Sequence, residues 1–455
     1  MASKKELIQA QSYSRRRLLT VFTSGIPGGK ELEPSKPLRA VVAGTALAVL
    51  LVVGSLVFGL ISPGLPSGWD SNTLLLAKDS GARYVAIKGT LYPVLNTASA
   101  KLIIPSKDFR VLTVDEAKIA DAPRGKTIGI TGAPDSLPDA SSLIPAGWAS
   151  CTFADGKETT TLPVDGAPVD PTDDAIVANV DGVTYVVAGG VRYEVEGENP
   201  ASVLRAVGLD TAKPINVTAK WINLFTAGTA LEALTVPQAG SALPEPLSVD
   251  GRSLTVGTVV HQEATPDEKL YVLTAQGTAA PLSPFGYQLY RVGSGTQLGD
   301  QVEVTPSQFG SIPTDDTAAE PADWPQRAVQ PGDAQKGACA ALGKPADDGS
   351  ANIVLATPRD SKAADASPLF VAPGHGALVR AVNTGDTNAG LVYLIDDAGR
   401  AFPIPDVKDD VLPRLGFSKS DVTNVPQSWI ALFEGGPSLT TGAASETPAT
   451  SEAAG

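Results

Sequence analysis

The sequence predicts a single-span membrane protein whose bulk lies beyond the membrane and is mainly β, a central β domain carrying four small β-hairpin-based repeat modules. Three observations predict it. Residues 41–61 form one apolar run without a charged side chain. Charge divides at that run, basic before it and acidic after it. Beyond it, a tyrosine-and-glycine hairpin unit recurs four times.

Residues 1–40 hold Lys4, Lys5, Arg15, Arg16, Arg17, Lys30, Lys36 and Arg39 against Glu6, Glu31 and Glu33, a net of +5. Ser3-Lys4-Lys5-Glu6 reads as an N-cap with an acidic residue three places on. Leu7, Ile8, Leu18, Leu19 and Phe22 supply apolar positions between the basic ones, and Gly25 and Pro27 end the pattern. The segment is too short for a domain. It predicts a basic amphipathic helix that lies on an anionic inner leaflet or packs on a partner protein. Its candidate partner-binding residues are Arg15, Arg16, Arg17, Leu18, Leu19 and Phe22. The plainer reading is a basic flank that does no more than set topology.

The apolar run 41–61 spans about 32 Å as a helix at ~1.5 Å per residue, against a hydrocarbon core of about 30 Å. The whole chain carries −14, so everything after residue 40 sums to −19. Basic residues crowd the cytoplasmic side of a span, which places the N-terminus in the cytoplasm and residues 62–439 outside the plasma (inner) membrane, in the periplasm or its equivalent. A cleaved secretory signal is the competing reading. Such a signal has a shorter apolar stretch and small residues at the cut, whereas Ser62-Pro63-Gly64-Leu65-Pro66 follows here with no A-x-A-like site.

The recurring unit is a short apolar strand, a tyrosine-led strand, a glycine turn and an aromatic- or proline-bearing strand. The modules fall near 72–104, 174–210, 257–292 and 376–417. Their tyrosine–glycine pairs are Tyr84 and Gly89, Tyr185 and Gly190, Tyr271 and Gly277, and Tyr393 and Gly399. Helical scraps follow three of them, at 202–209, 284–292 and 409–417. One hairpin cannot bury its face alone, so four need each other or a shared core. Chance recurrence of Tyr-and-Gly hairpins in a β-rich chain is the alternative. Between the modules, 107–118 reads as a short helix, 133–145 as loop and 237–246 as a Pro-rich connector. Residues 311–350 read as polar and Pro/Asp-rich apart from Trp324 and Cys339. The Ala/Ser/Thr/Glu-rich stretch 440–455 reads as a disordered tail.

Two cysteines, Cys151 and Cys339, lie beyond the span. In an oxidising compartment such thiols pair, so a disulfide is the expected state and two isolated buried cysteines the alternative. With His261 and His375 the only histidines, a zinc site is hard to assemble and no metal is expected. No cofactor, nucleic-acid partner or catalytic residue is expected either, for there is no G-x-S-x-G elbow and no His-paired nucleophile. One stretch tests that view: Ala120-Asp121-Ala122-Pro123-Arg124-Gly125-Lys126-Thr127 meets a loosened phosphate-loop pattern. Gly125, Lys126 and Thr127 are therefore a weak nucleotide-binding candidate. The chemistry needs a strand before the loop and a helix after it. Ile128-Gly129-Ile130-Thr131-Gly132-Ala133-Pro134 cannot propagate a helix, so a solvated basic turn is the stronger reading.

Ser14-Arg15-Arg16-Arg17-Leu18-Leu19-Thr20-Val21-Phe22-Thr23-Ser24-Gly25-Ile26-Pro27, running on through Gly28-Gly29-Lys30-Glu31-Leu32-Glu33-Pro34 into the apolar run, closely resembles actinobacterial EccB. That family is the membrane-anchored component of the type VII (ESX) secretion system. The resemblance continues through 91–102, 129–134, 148–151 and 425–437, with little to match at 210–260 and 305–350. It implies a central β domain flanked by four repeat modules in a pseudo-twofold arrangement, and a Cys151–Cys339 disulfide. It implies self-association and membership of a protein-export complex with EccC, EccD and EccE, in which EccC is the motor ATPase. ATP hydrolysis has also been suggested for family members, but the strand–loop–helix context is missing here. Two other classes remain as alternatives: a membrane-anchored module binding the cell wall, and an extracytoplasmic nucleotide hydrolase.

Overall fold

The computed structural model describes residues 3–24, 37–60, 65, 67–197, 199–266, 269–360, 367–383, 389–407 and 410–448. Gly25, Pro27, Ile61, Asp409 and the tail from residue 449 lie outside them. The chain divides into two units, Met1–Pro66 and Ser67–Gly455.

The first unit holds two helices. Helix α1 spans Lys4–Ser24. Its start is capped as the sequence expects: the Ser3 N–H donates to a Glu6 carboxylate oxygen at 2.8 Å, and the Glu6 N–H donates to Ser3 Oγ at 3.4 Å. Helix α2 spans Pro37–Leu60 and begins four residues before the expected run. Pro37 and Arg39 fit a first turn, where a missing N–H costs nothing and charge sits at the end of the apolar segment. Among the described residues this is the one helix long and apolar enough to cross a membrane.

The second unit is built on five principal sheets. The first comprises β1 (Thr73–Ala77), β2 (Arg83–Ile87), β3 (Thr90–Pro93) and β4 (Val111–Val114) in the order β3-β2-β1-β4. Hairpin pairing is antiparallel, with Tyr84 opposite Pro93, while β4 runs parallel to β1. Helix α3 (Thr97–Ile103) makes the crossover. Next come three strands of the central sheet, β5 (Trp148–Thr152), β6 (Glu158–Leu162) and β7 (Val169–Pro171).

The next sheet repeats the first design. Strands β8 (Ile176–Val180), β9 (Val183–Ala188), β10 (Val191–Glu194) and β11 (Ile215–Asn216) stand in the order β11-β8-β9-β10, with helix α4 (Pro200–Ala206) in the crossover. Helix α5 (Ala219–Ile222) and strand β12 (Thr226–Ala227) follow, and β12 lies parallel along β10. After a small hairpin of β13 (Ser248–Val249) and β14 (Arg252–Ser253), the order returns. Strands β15 (Val259–Gln262), β16 (Leu270–Leu273), β17 (Ala279–Leu282) and β18 (Val302–Val304) again place the late strand parallel beside the first. Helix α6 (Pro284–Val292) is the crossover and α7 (Pro306–Phe309) follows β18.

Strands β19 (Ala338–Leu342), β20 (Ile353–Pro358) and β21 (Leu369–Val371) complete the central sheet, order β21-β6-β5-β19-β20-β7. The last sheet has β22 (Ala377–Val382), β23 (Val392–Ile395), β24 (Arg400–Ile404), β25 (Thr423–Pro426) and β26 (Glu434–Gly435), with helices α8 (Val411–Leu415) and α9 (Gln427–Ile430). A final helix, α10, covers Thr441–Ser445.

Three expectations are corrected. Residues 107–118 hold no α-helix but strand β4 between two 3₁₀ turns, because β1 offers Leu74 to Ala77 as a parallel edge for Val111 to Val114. The segment 311–350 contains a core strand, β19, whose small residues let neighbouring strands and their packing approach closely. Residues 440–448, expected to belong to a disordered tail, are instead ordered, since Thr440 caps α10 and Leu439 and Ala444 are fully buried.

Candidate functional site

Helix α1 carries Arg15, Arg16, Arg17, Leu18, Leu19 and Phe22, all exposed. Helical spacing sets Arg15, Leu18, Leu19 and Phe22 on one face, at i, i+3, i+4 and i+7, while Arg16 and Arg17 point off it. Phe22 is 88% exposed, so it is not buried against any of the described residues. The arrangement is an apolar stripe with one guanidinium inside it, one beside it and one on the opposite face, suited to an amphipathic partner.

Cys151 and Cys339 sit directly opposite each other on the paired central strands β5 and β19 and are joined by a disulfide. Alternation places Trp148, Ala338, Ala340 and Leu342 on the aromatic side of the sheet, and Ala149, Cys151, Cys339 and Ala356 on the other. Both cysteines are buried, at 5% and 0% exposure. The bridge therefore locks the register of two strands 188 residues apart in sequence.

Gly125, Lys126 and Thr127 stand in extended chain, not in a loop opening a helix. Leu91 N–H donates to Pro123 O and Gly125 N–H to Leu91 O, so the segment runs parallel along β3. Strand β12 lies the same way along β10, and β26 along β24. In all three places a glycine follows the pairing and has no room for a Cβ: Gly125 meets Tyr92, Gly228 meets Tyr193 and Gly436 meets Phe402. The glycine of the Gly-Lys-Thr triplet is thus a packing device over a third-strand aromatic ring. The Gly125 N–H is already committed, and Lys126 is exposed. The strand–loop–helix frame that a phosphate loop uses does not surround the triplet in this structure.

Several residues were given no packing role from the sequence. Trp221-Ile222-Asn223-Leu224-Phe225 recurs as Trp429-Ile430-Ala431-Leu432-Phe433, each copy following the parallel strand of its sheet. The copies meet at the core. Trp221 Nε1 donates to Ser150 O at 2.9 Å and Trp429 Nε1 to Leu224 O at 3.3 Å, with Trp148 6.3 Å from Trp429. A second set stitches the first sheet's helix to the last sheet's helix. Lys101 Nζ on α3 donates to Leu415 O at 3.1 Å, and Arg414 on α8 donates to Leu102 O at 2.7 Å and Ile103 O at 3.1 Å. Each cation satisfies carbonyls orphaned at the other helix's C-terminus. Burial holds Lys101 below the usual lysine range. Around α6, the buried Glu320 accepts from the Ser283 N–H at 2.9 Å.

Other titratable groups serve structure. Burial raises the Asp396 carboxyl, which accepts from the Arg400 N–H at 2.8 Å in the β23–β24 turn. Tyr290 donates its hydroxyl to Gly257 O and is pushed up to about 12 by burial. Among the described residues, no group of three or more His, Cys, Asp or Glu gathers to hold a metal.

The model of the family described as type VII secretion system ESX-1, transport TM domain B, matches residues 1–450. The chain belongs to this EccB family. It is similar to the ESX-3 secretion system ATPase EccB3 of Mycolicibacterium smegmatis, 28% identical over 441 residues, covering 89% of this chain and 83% of the relative. Similarity extends to the ESX-5 secretion system ATPase EccB5 of Mycobacterium tuberculosis, 27% identical over 450 residues, covering 90% and 86%. Among solved structures, the EccB3 dimer from the ESX-3 core complex matches with a TM-score of 0.67 at 25% identity, over 82% of this chain and 99% of that one. A chain of an intact ESX-5 inner membrane complex matches in fold, with a TM-score of 0.62 at 24% identity, over 98% and 95%.

Proposed function

We propose that this EccB-family chain is a structural and assembly subunit of a type VII secretion membrane complex, anchoring and multimerising its extracytoplasmic part for protein export. The observation that carries this reading is the family match over residues 1–450, reinforced by the fold it shares with a dimeric ESX-3 relative and an ESX-5 inner membrane complex. Residues 1–40 lie in the cytoplasm, 41–61 cross the inner membrane and 62–439 lie in the periplasm; the +5 leader and the apolar helix α2 support that orientation. The four like-ordered sheets, whose hairpins and crossover helices fall in 72–104, 174–210, 257–292 and 376–417, are copies of one repeat module flanking the central sheet. Their common strand order supports it, as do helix pairings of first with fourth and second with third and a Trp-Ile-x-Leu-Phe motif that follows only the second and fourth. Those are the relations a pseudo-twofold axis produces, exchanging first with third and second with fourth. EccC-, EccD- and EccE-type proteins are the partners, with self-association through the modules.

The stripe of α1, with Arg15, Arg16 and Arg17 beside Leu18, Leu19 and Phe22, is the cytoplasmic contact. Replacing the three arginines by glutamine in the tagged chain, expressed with its neighbours, lowers recovery of the complex while the membrane level of the chain holds. Unchanged recovery removes the role. A second reading comes from the word ATPase in the relatives' names. The extended Gly125-Lys126-Thr127 segment argues against a nucleotide site there, and Lys126→Ala leaves any hydrolysis by purified protein unchanged. Loss of hydrolysis in that variant would reinstate the enzyme. For the cell wall as partner, peptidoglycan pull-down is the deciding measurement.

A further inference from the structure

A cleft of about 570 Å³ opens where the second module, the last module and the central sheet meet. That volume suits a small ligand. Arg192 of β10 lines it, and among the described residues no other charged side chain does. This is unusual in a region carrying −19. Among the described residues Arg192 makes no ion pair within 4.0 Å, and its Nε is buried without an acceptor. Its guanidinium lies 5.6 Å from the Tyr185 ring centroid, a contact that satisfies no N–H. A buried donor left unpaired costs about 1–3 kcal/mol, so such a group calls for an acceptor from elsewhere. Around it stand the amide side chains of Asn223, Asn383 and Gln427, over apolar walls from Leu224 and Ile353. A guanidinium fork matches a carboxylate with two parallel hydrogen bonds, and side-chain amides both donate to and accept from peptide groups.

We propose that this cleft binds the free C-terminal carboxylate of a short peptide, with Arg192 as the carboxylate anchor and Asn223, Asn383 and Gln427 reading the adjoining peptide bonds. The site stands apart from the assembly role: it lies at an internal junction of the modules rather than on the α1 stripe. The test uses the full-length chain in detergent micelles and calorimetric titration with acetyl-trialanine, its C-terminal amide, and inorganic phosphate. The acid binds, and the amide binds at least about tenfold more weakly, as loss of a charge-assisted pair requires. Arg192→Gln weakens the acid by a similar factor while leaving the amide unchanged, and Arg192→Lys recovers part of the loss. Should Arg192→Gln melt early, Gln427→Leu at the cleft edge replaces it and reduces binding of acid and amide alike. Equal affinity for acid and amide overturns the proposal, as does binding indifferent to these variants or no acid binding at all. Phosphate competing as well as the tripeptide would mark a general anion site and equally overturn it.

Discussion

Replacing both Cys151 and Cys339 by alanine removes the disulfide without leaving a free thiol. The bridge closes a loop of 188 residues, for which the chain-entropy relation gives about 5 kcal/mol at 25 °C. Native bridges deliver roughly 2–5 kcal/mol when removed, so we expect a loss of about 3–5 kcal/mol. The strands themselves persist, because β5 and β19 pair over five register positions and Cys339 is flanked by buried Ala338 and Ala340. With an unfolding entropy near 2.1 cal/mol/K per residue, a unit of about 390 residues melting as one loses about 4–6 °C in Tm. Modules that melt separately concentrate the shift in the transition of the central sheet. Scanning calorimetry of wild type and double variant reads it directly. Burial adds a second readout: dithiothreitol leaves the bridge intact in the folded protein and opens it only after denaturant exposes the sulfurs. A Tm change below about 1 °C, or thiol labelling of the reduced protein without denaturant, would refute the reasoning.

Gly125→Ala drives a Cβ into the Tyr92 ring and costs about 1–3 kcal/mol by overpacking, whereas Lys126→Ala, at an exposed position, changes stability by less than about 0.5 kcal/mol; thermal melts of both separate a packing glycine from a phosphate loop. Glu320→Ala strips the Ser283 N–H of its buried acceptor and costs about 1–3 kcal/mol in denaturant titration, while Glu320→Gln, which keeps an acceptor oxygen, loses less. For Tyr290, whose folded pKa is raised from 10.0 to about 12, the contribution is complete below pH 10 and lost as pH rises through 12, because the unfolded phenol ionises first. Tyr290→Phe therefore flattens the fall of stability between pH 10 and 12, and an unchanged alkaline slope removes Tyr290 as its source.

The hairpins were legible because tyrosine, β-branched residues and a glycine turn sit at short, regular spacing. Helix α6 matched its expected 284–292 span because Ser283 caps it, Pro284 opens it and Phe285, Leu289 and Tyr290 bury one face. The parallel fourth strands were not legible. Ile215–Asn216 is only two residues long, and Val111–Val114 lies among charges, so each is a strand only by virtue of a partner distant in sequence. Helix α3 was missed because Thr97-Ala98-Ser99-Ala100 lacks large apolar residues; Asn96, whose side chain accepts from the Ser99 N–H at 3.0 Å, was its available signal. The Cys339 strand escaped because Ala338-Cys339-Ala340-Ala341 has no β-branched residue, though small side chains are what a strand buried on both faces can use. Arg192, Arg414 and Glu320 read as surface charge in a linear sequence, since only the fold reveals that each meets interior backbone or an internal cleft.

The central claim, that this chain is an assembled strut of a secretion complex, is tested most directly by blue-native electrophoresis of the tagged full-length chain solubilised from membranes that also carry its EccC-, EccD- and EccE-type neighbours. The account predicts migration as one very large assembly containing those neighbours. Migration as a free monomer, with the neighbours assembling without it, would contradict it.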